Sequence, residues 1–503
     1  MRLFLAIILI LTINLFAQNN TVTEIQKLAG WKDAGLADTS PFSSNNIINI
    51  QDEIKKGKDY FSIIDEIART PGNVMTILYF PAGEYKFTRP INLSSNMLIR
   101  GDGAGKTVFK FDLTGSNASA VNLIGRVKRT VSYTTAIKAG DNFVLAENSP
   151  MVLNKNNIVE ISLGKNEWGK SSSGNKKYQK SQLLKVRGKL GNKYIFENKI
   201  RLDYEPKDKD GNKLHIVMIE PVENSGIENI TLTRTDKPGS DGHAIIHLDY
   251  VYNCLISGVE STMGANNHVF LRNAKNCEVI GSYFSKSFNT GGGGNGYGVS
   301  VGNGSSDNLI EDNIFTELRH SIIFATSANG NVTAYNASFD KPSMNFDEAA
   351  ISLHGHYPYM NLFEGNYVEY ICADYVWGEN GPYNTFLRNE VYHDGLFGFL
   401  NSKLIEFEKG TNKTFVIANV GNIKSGGENF LDGNVSPSAE NRGINHNITS
   451  LYKEVPKEDA VLLITDLGIN GVYARYRFGI GEKTVQRKID IEKKAKPNTS
   501  NVE

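Results

Sequence analysis

The amino-acid sequence predicts an all-β fold in which short parallel strands wind into a solenoid. A motif beginning with asparagine recurs between residues 229 and 434, usually after 23 or 24 residues and twice after 32 and 30. Its short runs of Val, Ile and Phe, broken by Gly, Asn and Ser, leave no room for an ordinary helix. A fixed period of this length is typical of stacked supersecondary units. The clearest copies are Asn253–Gly258, Asn276–Gly281, Asn308–Asn313, Asn331–Asn336, Asn361–Asn366 and Asn384–Asn389.

The recurring asparagines suit the corners of such coils. Asn and Gly adopt left-handed backbone angles more readily than other residues. Side-chain amides on successive coils can also bond to one another and form a ladder. We expect the mostly apolar residue after each leading asparagine to face the core. These residues are Cys254, Cys277, Leu309, Val332, Leu362 and Thr385.

The chain begins with the pattern of a secretory signal peptide. Residues 3–16 are almost wholly apolar and follow Met1 and Arg2, so we expect residues 1–17 to be removed. The run is too short to span a bilayer comfortably, and no later run reaches 18 apolar residues. An uncleaved membrane anchor is the alternative. We therefore expect a secreted protein, extracellular or periplasmic, with no membrane partner.

Composition narrows the classes of partner. Lys and Arg number 54 and Asp and Glu also number 54, so the whole chain has no net charge that would favour nucleic acid or anionic membrane. Three cysteines are too few for a disulfide scaffold. Cys254 and Cys277 occupy the same motif position one coil apart. They could therefore form a disulfide bond, or they could be two small side chains that face the core without a bond.

A polar lead-in at 18–45 precedes a capping helix and the first coils at 46–128. The spacing of apolar residues from Tyr60 to Ala68 predicts an amphipathic helix that ends at Pro71. The first coil of a solenoid has an exposed strand edge, which would otherwise recruit other strands. The helix is therefore predicted to cover that end.

Two segments after this helix carry a resemblance to a known family. Residues 77–87 contain a Phe-Pro-Ala-Gly-Glu-Tyr turn, and residues 91–107 contain a Gly-Asp-Gly turn. They resemble the opening of the pectate-lyase superfamily, whose members are secreted polysaccharide-active proteins and phage tailspikes. The resemblance implies a right-handed parallel β-helix and a polysaccharide substrate. It leaves open whether the chain is a monomer or a homotrimer, and the fold alone does not fix the chemistry.

The rest of the chain divides into three parts. Residues 129–220 break the period but contain strand-like runs, which predicts a β-rich insertion; irregular continuation of the coils is the alternative. The main parallel β-helix is predicted over 221–435. Residues 436–503 are predicted to form a C-terminal cap, with two strand-like runs at 461–465 and 472–478, and a tail.

Two extra segments in the coils indicate where a site lies. Residues 288–298 and 340–348 lengthen two coils at the same part of the period, so both are expected on one side of the solenoid. The unlengthened coil between them, which contains Arg319 and His320, would form a cleft. The next coil supplies Glu348 and His354.

Polar and aromatic side chains concentrate around this predicted cleft. The catalytic candidates are His354, His320, Arg319 and Glu348. The candidates for substrate contact are His356, Tyr357, Asp374, Trp377, Arg272 and Tyr297. Aromatic rings beside acids and imidazoles suit sugars, because a ring stacks on an apolar sugar face while polar groups bind the hydroxyls.

These residues fit two reactions. In a lyase, a neutral His or Tyr removes the proton beside a uronate carboxylate, which Arg319 neutralises. In a hydrolase, two carboxylates would act, from among Asp347, Glu348, Asp374 and Glu379. A non-catalytic glycan-binding adhesin is the third hypothesis. No metal-ligand spacing is recognisable, no cofactor is predicted, and a calcium requirement is left open.

Overall fold

The computed structural model describes most of the solenoid, the segment that precedes it and most of the insertion beside it. The described residues are 21–114, 118–149, 151–164, 179–236, 238, 244–264, 266–291, 293–339, 348–391, 404–435 and 450–452. The predicted signal peptide, the second extra segment at 340–347 and the strand-like runs at 461–465 and 472–478 lie outside these ranges. No helix among the described residues has the length and apolarity needed to cross a membrane.

The core of the molecule is a right-handed parallel β-helix, as the sequence predicts. Each coil passes through three parallel sheets, here called sheets 1, 2 and 3 in chain order. Sheet 1 has twelve strands, sheet 2 nine and sheet 3 eleven. A strand in one coil pairs with the equivalent strand of the next, so side chains at one position form a row along the solenoid axis.

The strands are short, as the broken apolar runs indicate. Sheet 1 consists of Ile47–Asn49, Thr76–Phe80, Met97–Gly101, Gly226–Glu228, Leu255–Ser257, Glu278–Ile280, Leu309–Glu311, Val332–Ala334, Leu362–Glu364, Thr385–Leu387, Phe415–Ile417 and Phe430–Asp432. Sheet 2 consists of Gly83–Phe87, Thr107–Phe111, Thr231–Arg234, Glu260–Gly264, Tyr283–Ser287, Ile314–Thr316, Ala337–Phe339, Tyr367–Val368 and Glu390–Val391. Sheet 3 consists of Ile91–Leu93, Val121–Ile124, Val222–Glu223, Ile246–Tyr252, Asn267–Lys275, Tyr297–Gly302, His320–Phe324, Ile351–Leu353, Ile371–Ala373, Leu404–Phe407 and Asn422–Ser425.

A fourth, antiparallel sheet of six strands lies beside the solenoid. In spatial order its strands are Arg126–Ser132, His215–Glu220, Ile158–Leu163, Lys180–Leu190, Lys193–Phe196 and Phe143–Leu145. Its inner residues form a hydrophobic cluster of their own. The sheet is joined to the solenoid by Leu183 N–H, which donates to Ser306 Oγ (3.2 Å), and by Tyr359 Oη, which donates to Ser181 O (2.8 Å).

The predicted capping helix is confirmed. Helix α3, Tyr60–Arg69, begins after Asp59, whose carboxylate accepts from Ser62 N–H (3.0 Å). Ile63 and Ile64 are buried and pack into the interior of the first coils. A shorter helix, α2, Ile50–Lys55, precedes it, and 3₁₀ turns occur at Trp31–Asp33, Ser40–Ser43 and Ala146–Asn148.

The predicted polar lead-in forms an ordered strap. Residues 21–29 are helical (α1) and bury Val22 and Ile25 against the outer face of sheet 1. Trp31 Nε1 donates to Met360 O (2.7 Å) and fixes the end of this strap. The outer face of sheet 1 is therefore covered at its middle strands, such as Leu309–Glu311 and Leu362–Glu364, which bury apolar side chains on both sides.

This cover changes which row faces the core. Leu309, Val332 and Leu362, which we expected to point inward, point outward and pack with the strap. The inward residues come one position later and include Ile310 and Phe363. Two successive apolar rows gave no indication of which one was inside. The two rows differ because the strap, which is distant in sequence, packs on the outward one.

Buried asparagine ladders join the coils, as the motif predicts. In one ladder Asn308 Nδ2 donates to Asn331 Oδ1 (2.8 Å), and Asn331 repeats the bond to Asn361 (2.9 Å) and Asn361 to Asn384 (3.0 Å). A second ladder, at the next corner, has bonds of 2.8–3.0 Å throughout. It runs through Asn313, Asn336, Asn366, Asn389, Asn419 and Asn434.

The ladder register corrects the alignment of the motif by one residue. Glu278 pairs with Leu309, so Asn308 lies beside Cys277 rather than Asn276, and the lengthened coil has 31 residues rather than 32. Cys277 N–H donates to Asn308 Oδ1 (2.9 Å). Cys254 and Cys277 thus occupy ladder positions, and both are buried free thiols in this structure.

The left-handed residue in the later coils is the one before the ladder asparagine. Met360, with φ of 50°, precedes Asn361, and Arg388, with φ of 53°, precedes Asn389. Ordinary side chains are strained in this region, at a cost of about 1 kcal/mol or more each. The satisfied amide beside each strained residue holds the corner in place.

The ladder predicts that replacing one of its asparagines strongly lowers the stability of the fold. Asn361 makes four side-chain hydrogen bonds, two as donor and two as acceptor. Asn361→Ala leaves these buried partners unsatisfied, so we expect a loss of about 3 kcal/mol in the free energy of unfolding. Thermal and urea denaturation measure this. Asn45→Ala, at an exposed asparagine, is the matched control; equal stabilities of the two variants would contradict the role of the ladder.

Candidate active site

One row of side chains at the carboxyl end of sheet 3 organises the site. Strand pairing places Asp249, Arg272, Gly302, Ala325, His354 and Asp374 at this position in successive coils. Four of these six side chains carry ionisable groups. The two in the middle, Gly302 and Ala325, have almost no side chain. The row therefore contains a gap between Arg272 on one side and His354 on the other.

A cavity of about 510 Å³ occupies this gap. A Cβ atom at Gly302 would stand 2.7 Å from Thr326 Oγ1, so the backbone there tolerates no side chain without displacing Thr326. Thr326 itself has φ of 48°, a strained angle for a β-branched residue. The cavity is lined by Asn266, Asn267, Phe270, Arg272, Gly293, Gly294, Tyr297, Ser300, Val301, Gly302, Asn303, Arg319, Ile323, Ala325, Thr326, His354 and Trp377.

The first extra segment reaches this cavity at Gly293 and Gly294. It connects sheet 2 to sheet 3, and its end is fixed by Arg319 N–H, which donates to Gly296 O (2.8 Å). Gly296 has φ of 74°. The described strands on either side of the second extra segment in the chain, Ala337–Phe339 and Ile351–Leu353, belong to the same two sheets.

His354 lies against the cavity and is held by an acid. Its Nδ1 atom is 2.6 Å from Asp374 Oδ2, because the two residues follow paired strands at equivalent positions. Asp374 Oδ1 accepts from Val376 N–H (3.0 Å), which fixes the carboxylate. An ionised Asp374 accepts the Nδ1 proton, so the Nε2 atom of neutral His354 is the one that can take up another.

Arg319 and Tyr297 line the opposite part of the cavity. Arg319 Nε is 3.7 Å from Glu348 Oε1, on the next coil, and the Arg319 side chain is 13% exposed. Its Nη1 donates to Tyr297 Oη (3.4 Å). Burial raises the pKa of Tyr297, and the Arg319 charge opposes that rise. Tyr297 is thus a protonated phenol at neutral pH.

Arg272 stands at the far end of the gap, with 37% of its side chain exposed. Asp249 Oδ2, one coil away, lies 3.9 Å from its Nε. When the Asn303 amide is oriented to suit its neighbours, its oxygen accepts from Arg272 Nε (3.0 Å) and Nη2 (2.7 Å). The Phe270 ring lies 5.5 Å from the guanidinium carbon. These contacts hold the guanidinium in one orientation.

Trp377 lies between two histidines at the other end. Its ring meets His354 edge-on at 6.3 Å between centroids and stacks on His356 at 5.9 Å. His356 is 3% exposed and does not line the cavity. Burial, assisted by the neighbouring His354, lowers the pKa of His356 to about 4. His356 therefore stays neutral at physiological pH and supports Trp377.

The remaining predicted residues lie behind the cavity wall. His320 is 2% exposed, its Nδ1 bonds to Ala349 O (2.7 Å), and its ring meets that of Tyr297 at 4.9 Å. It can position Tyr297, but its own ring does not line the cavity. Tyr357 packs against Lys180 from the insertion, with 5.4 Å from Nζ to the ring centre. Glu348 lies against Arg319 and does not line the cavity.

The structure thus brings Arg272, Tyr297, Arg319, His354 and Trp377 to one cavity, with Asp374 behind His354. The sequence analysis did not identify Gly302, Ala325 or Asn303. Their contribution comes from the register of the coils, and a correct alignment of the motif would have placed Gly302 and Ala325 in the row between Arg272 and His354, with Asn303 next to it.

The charged side chains that line the cavity are all positive among the described residues. Arg272 and Arg319 line the cavity, whereas no Asp or Glu does among the described residues. The nearby carboxylates are Asp249, Glu348 and Asp374, and each lies against Arg272, Arg319 or His354. No group of three or more His, Cys, Asp or Glu in the described part of the chain is placed to hold a metal ion.

Comparison with known proteins adds to the description of the fold. No family model matches the sequence, and no curated protein does. Solved structures that resemble it include the tailspike protein gp49 of Pseudomonas phage LKA1, at 14% identity, covering 74% of this chain and 70% of that one, with a TM-score of 0.46. The three long parallel sheets described above give the chain the parallel β-helix fold that its resemblance to the pectate-lyase superfamily predicts.

Two further structures resemble it at a similar level. The catalytic domain of a GH87 α-1,3-glucanase in complex with nigerose is 13% identical, with 76% of this chain and 55% of that one covered and a TM-score of 0.40. A mannuronic acid specific polysaccharide family 6 lyase from human gut microbiota is 12% identical, with 74% and 64% covered and a TM-score of 0.38. At these values the chemistry of the cavity has to be argued from this chain's own residues.

The low pKa of His356 predicts a pH dependence of stability. In the folded protein His356 takes up a proton only at about pH 4, whereas in the unfolded chain the same imidazole is protonated near pH 6.5. Stability is therefore intact above pH 6.5 and falls as the pH drops from 6.5 to 4, by up to about 3 kcal/mol for this group. We expect His356→Asn, which tolerates the local φ of 54°, to show a shallower loss of melting temperature over that range. Parallel curves for variant and wild type would contradict this assignment.

Proposed function

We propose that this protein is an exported lyase that cleaves a uronate-containing polysaccharide by β-elimination. The observation that carries the proposal is the composition of the cavity: two arginines, a histidine, a buried tyrosine and an indole ring, with no Asp or Glu in the described lining. Asp374 lies outside the lining and holds the histidine, His354. Export rests on the apolar run at residues 3–16.

Each group has a role in this reaction. The guanidinium of Arg319 binds the uronate carboxylate and stabilises the negative charge that develops there. His354 Nε2 removes the proton on the carbon beside that carboxylate, and Asp374 stabilises the resulting imidazolium. The electron pair of the broken C–H bond forms the new C=C bond as the glycosidic C–O bond breaks.

The leaving oxygen then needs a proton. Tyr297 is suited to supply it, because its hydroxyl is protonated at neutral pH and Arg319, whose charge lowers the pKa of that hydroxyl, stabilises the phenolate that remains. Trp377 provides an apolar surface for a sugar ring. The products are one chain with a new reducing end and one with an unsaturated uronate.

A hydrolase is less well supported by the same residues. It requires two carboxylates that face the substrate, about 5 or 6.5–9.5 Å apart. Glu348 and Asp374, the nearest candidates, lie against Arg319 and His354. Glu379 is exposed, and Asp347 lies outside the described residues.

The test is incubation of the mature protein with uronate-containing and neutral polysaccharides. We expect ultraviolet absorbance from an unsaturated uronate with the former only. His354→Ala and Asp374→Asn should each lower kcat by about 10²–10⁴-fold without changing the melting temperature, because they remove or misorient the base. Reducing ends without absorbance would mean hydrolysis, and binding without either would mean an adhesin; both outcomes would overturn the proposal.

Tyr357→Phe is the matched control for these variants, since Tyr357 lies outside the cavity lining. It should retain wild-type turnover.

A further inference from the structure

The chain as a whole is neutral, but its positive and negative charges are concentrated in different segments. Residues 126–220, which contain the antiparallel sheet, have 19 Lys and Arg but only 10 Asp and Glu. This segment therefore carries a net charge of +9, and the rest of the chain carries −9. A local excess of this size attracts anionic polymers, although the protein as a whole is neutral.

The basic segment begins at the end of the row that forms the cavity. Ile124 pairs with Asp249, which in turn pairs with Arg272. Ile124 is thus two coils beyond Arg272, about 10 Å along the solenoid axis at the usual strand spacing. The next strand, Arg126–Ser132, continues directly from it.

That strand presents its charges to solvent. Its first five residues are exposed, and Arg126, Lys128 and Arg129 are among them. Arg126 is 76% exposed and pairs with Glu220 at the surface, an arrangement that contributes little stability. The basic side chains of this edge strand are therefore exposed where a ligand can reach them.

Arg272 connects this strand with the cavity. It lies three coils from His354, about 14 Å along the axis, which is more than one sugar ring spans. Its guanidinium is held by Asn303 while 37% of the side chain remains exposed. A fixed, accessible guanidinium suits bidentate binding of a carboxylate. Arg319 precedes the strand His320–Phe324, two coils from Arg272 and about 10 Å along the axis, so the carboxylate at Arg272 belongs to a different sugar from the one at Arg319.

We infer that an acidic polysaccharide lies along the solenoid axis, from the cavity across Arg272 and onto the strand Arg126–Ser132. The site is thereby selective for polymers that carry acid groups on successive sugars, rather than for isolated uronates in a neutral chain. This inference rests on the proposed function, because that function puts a uronate in the cavity. A single-stranded nucleic acid is also a polyanion. The proposed path, however, ends in a sugar-sized cavity lined by His354, Trp377 and Tyr297.

The experiment measures affinity against chain length. Uronate oligosaccharides of two to eight sugars, and alternating uronate–neutral oligosaccharides of equal length, are titrated by calorimetry into His354→Ala protein, which prevents turnover. Arg272→Gln and the double variant Lys128→Gln/Arg129→Gln are made in the same background. Lys209→Gln, at an exposed lysine elsewhere in the insertion, is the control.

We expect affinity for the all-uronate series to rise at least tenfold with length and to weaken with salt. Arg272→Gln should remove most of that rise, the double variant should reduce it for the longest chains only, and Lys209→Gln should leave it intact. A length-independent affinity, an equal response of all three variants, or tighter binding of a single-stranded oligonucleotide would overturn the inference. Because binding is read without turnover, this series remains decisive even if the wild-type protein shows no lyase activity.

Discussion

The hydrogen bonds between buried asparagine amides of successive coils determine which residue lies above which. In a parallel β-helix each strand pairs only with its neighbours, so a slip of one residue would reverse the faces of a whole coil. The amide of Asn361 is bonded to the coils on both sides as well as to the backbone. Such a residue tolerates one register only. The positions of all side chains on the outer surface follow from that register.

The candidate site is a direct product of the register. Its three reactive groups each lie against an acid on an adjoining coil: Arg272 against Asp249, Arg319 against Glu348, and His354 against Asp374. No long loop is needed to bring these pairs together, because pairing of the strands does so. The cavity exists where Gly302 and Ala325 interrupt the row. Function in this fold therefore depends on small residues as much as on reactive ones.

Much of the fold could be predicted from the sequence because it repeats. The period, the parallel coils, the ladders and the helix over Tyr60–Arg69 all depend on local patterns. The ladder alignment was wrong by one residue because Cys254 and Cys277 stand where later coils have asparagine. The inward row was assigned correctly at Cys254 and Cys277 but wrongly at Leu309, Val332 and Leu362, because the strap at 21–33 buries the outer face as well. Contacts between residues distant in sequence carry that information.

The site could be predicted only in part for the same reason. His354, Arg319 and Trp377 were found as reactive or aromatic side chains near an extra segment. His320 shares that neighbourhood but is buried against Tyr297 and Ala349, which the spacing does not show. Arg272 and Tyr297 were also found as candidates, whereas Asn303 was not, and Gly302 and Ala325 have no reactive group to attract attention. Exposure and register decide these cases.

The most direct test of this account is a crystal structure of His354→Ala protein with a uronate tetrasaccharide. We expect the sugar chain to lie along the solenoid axis over Gly302 and Ala325, with one carboxylate on Arg319 and another on Arg272. A chain bound across the axis, or bound away from this gap, would contradict the account.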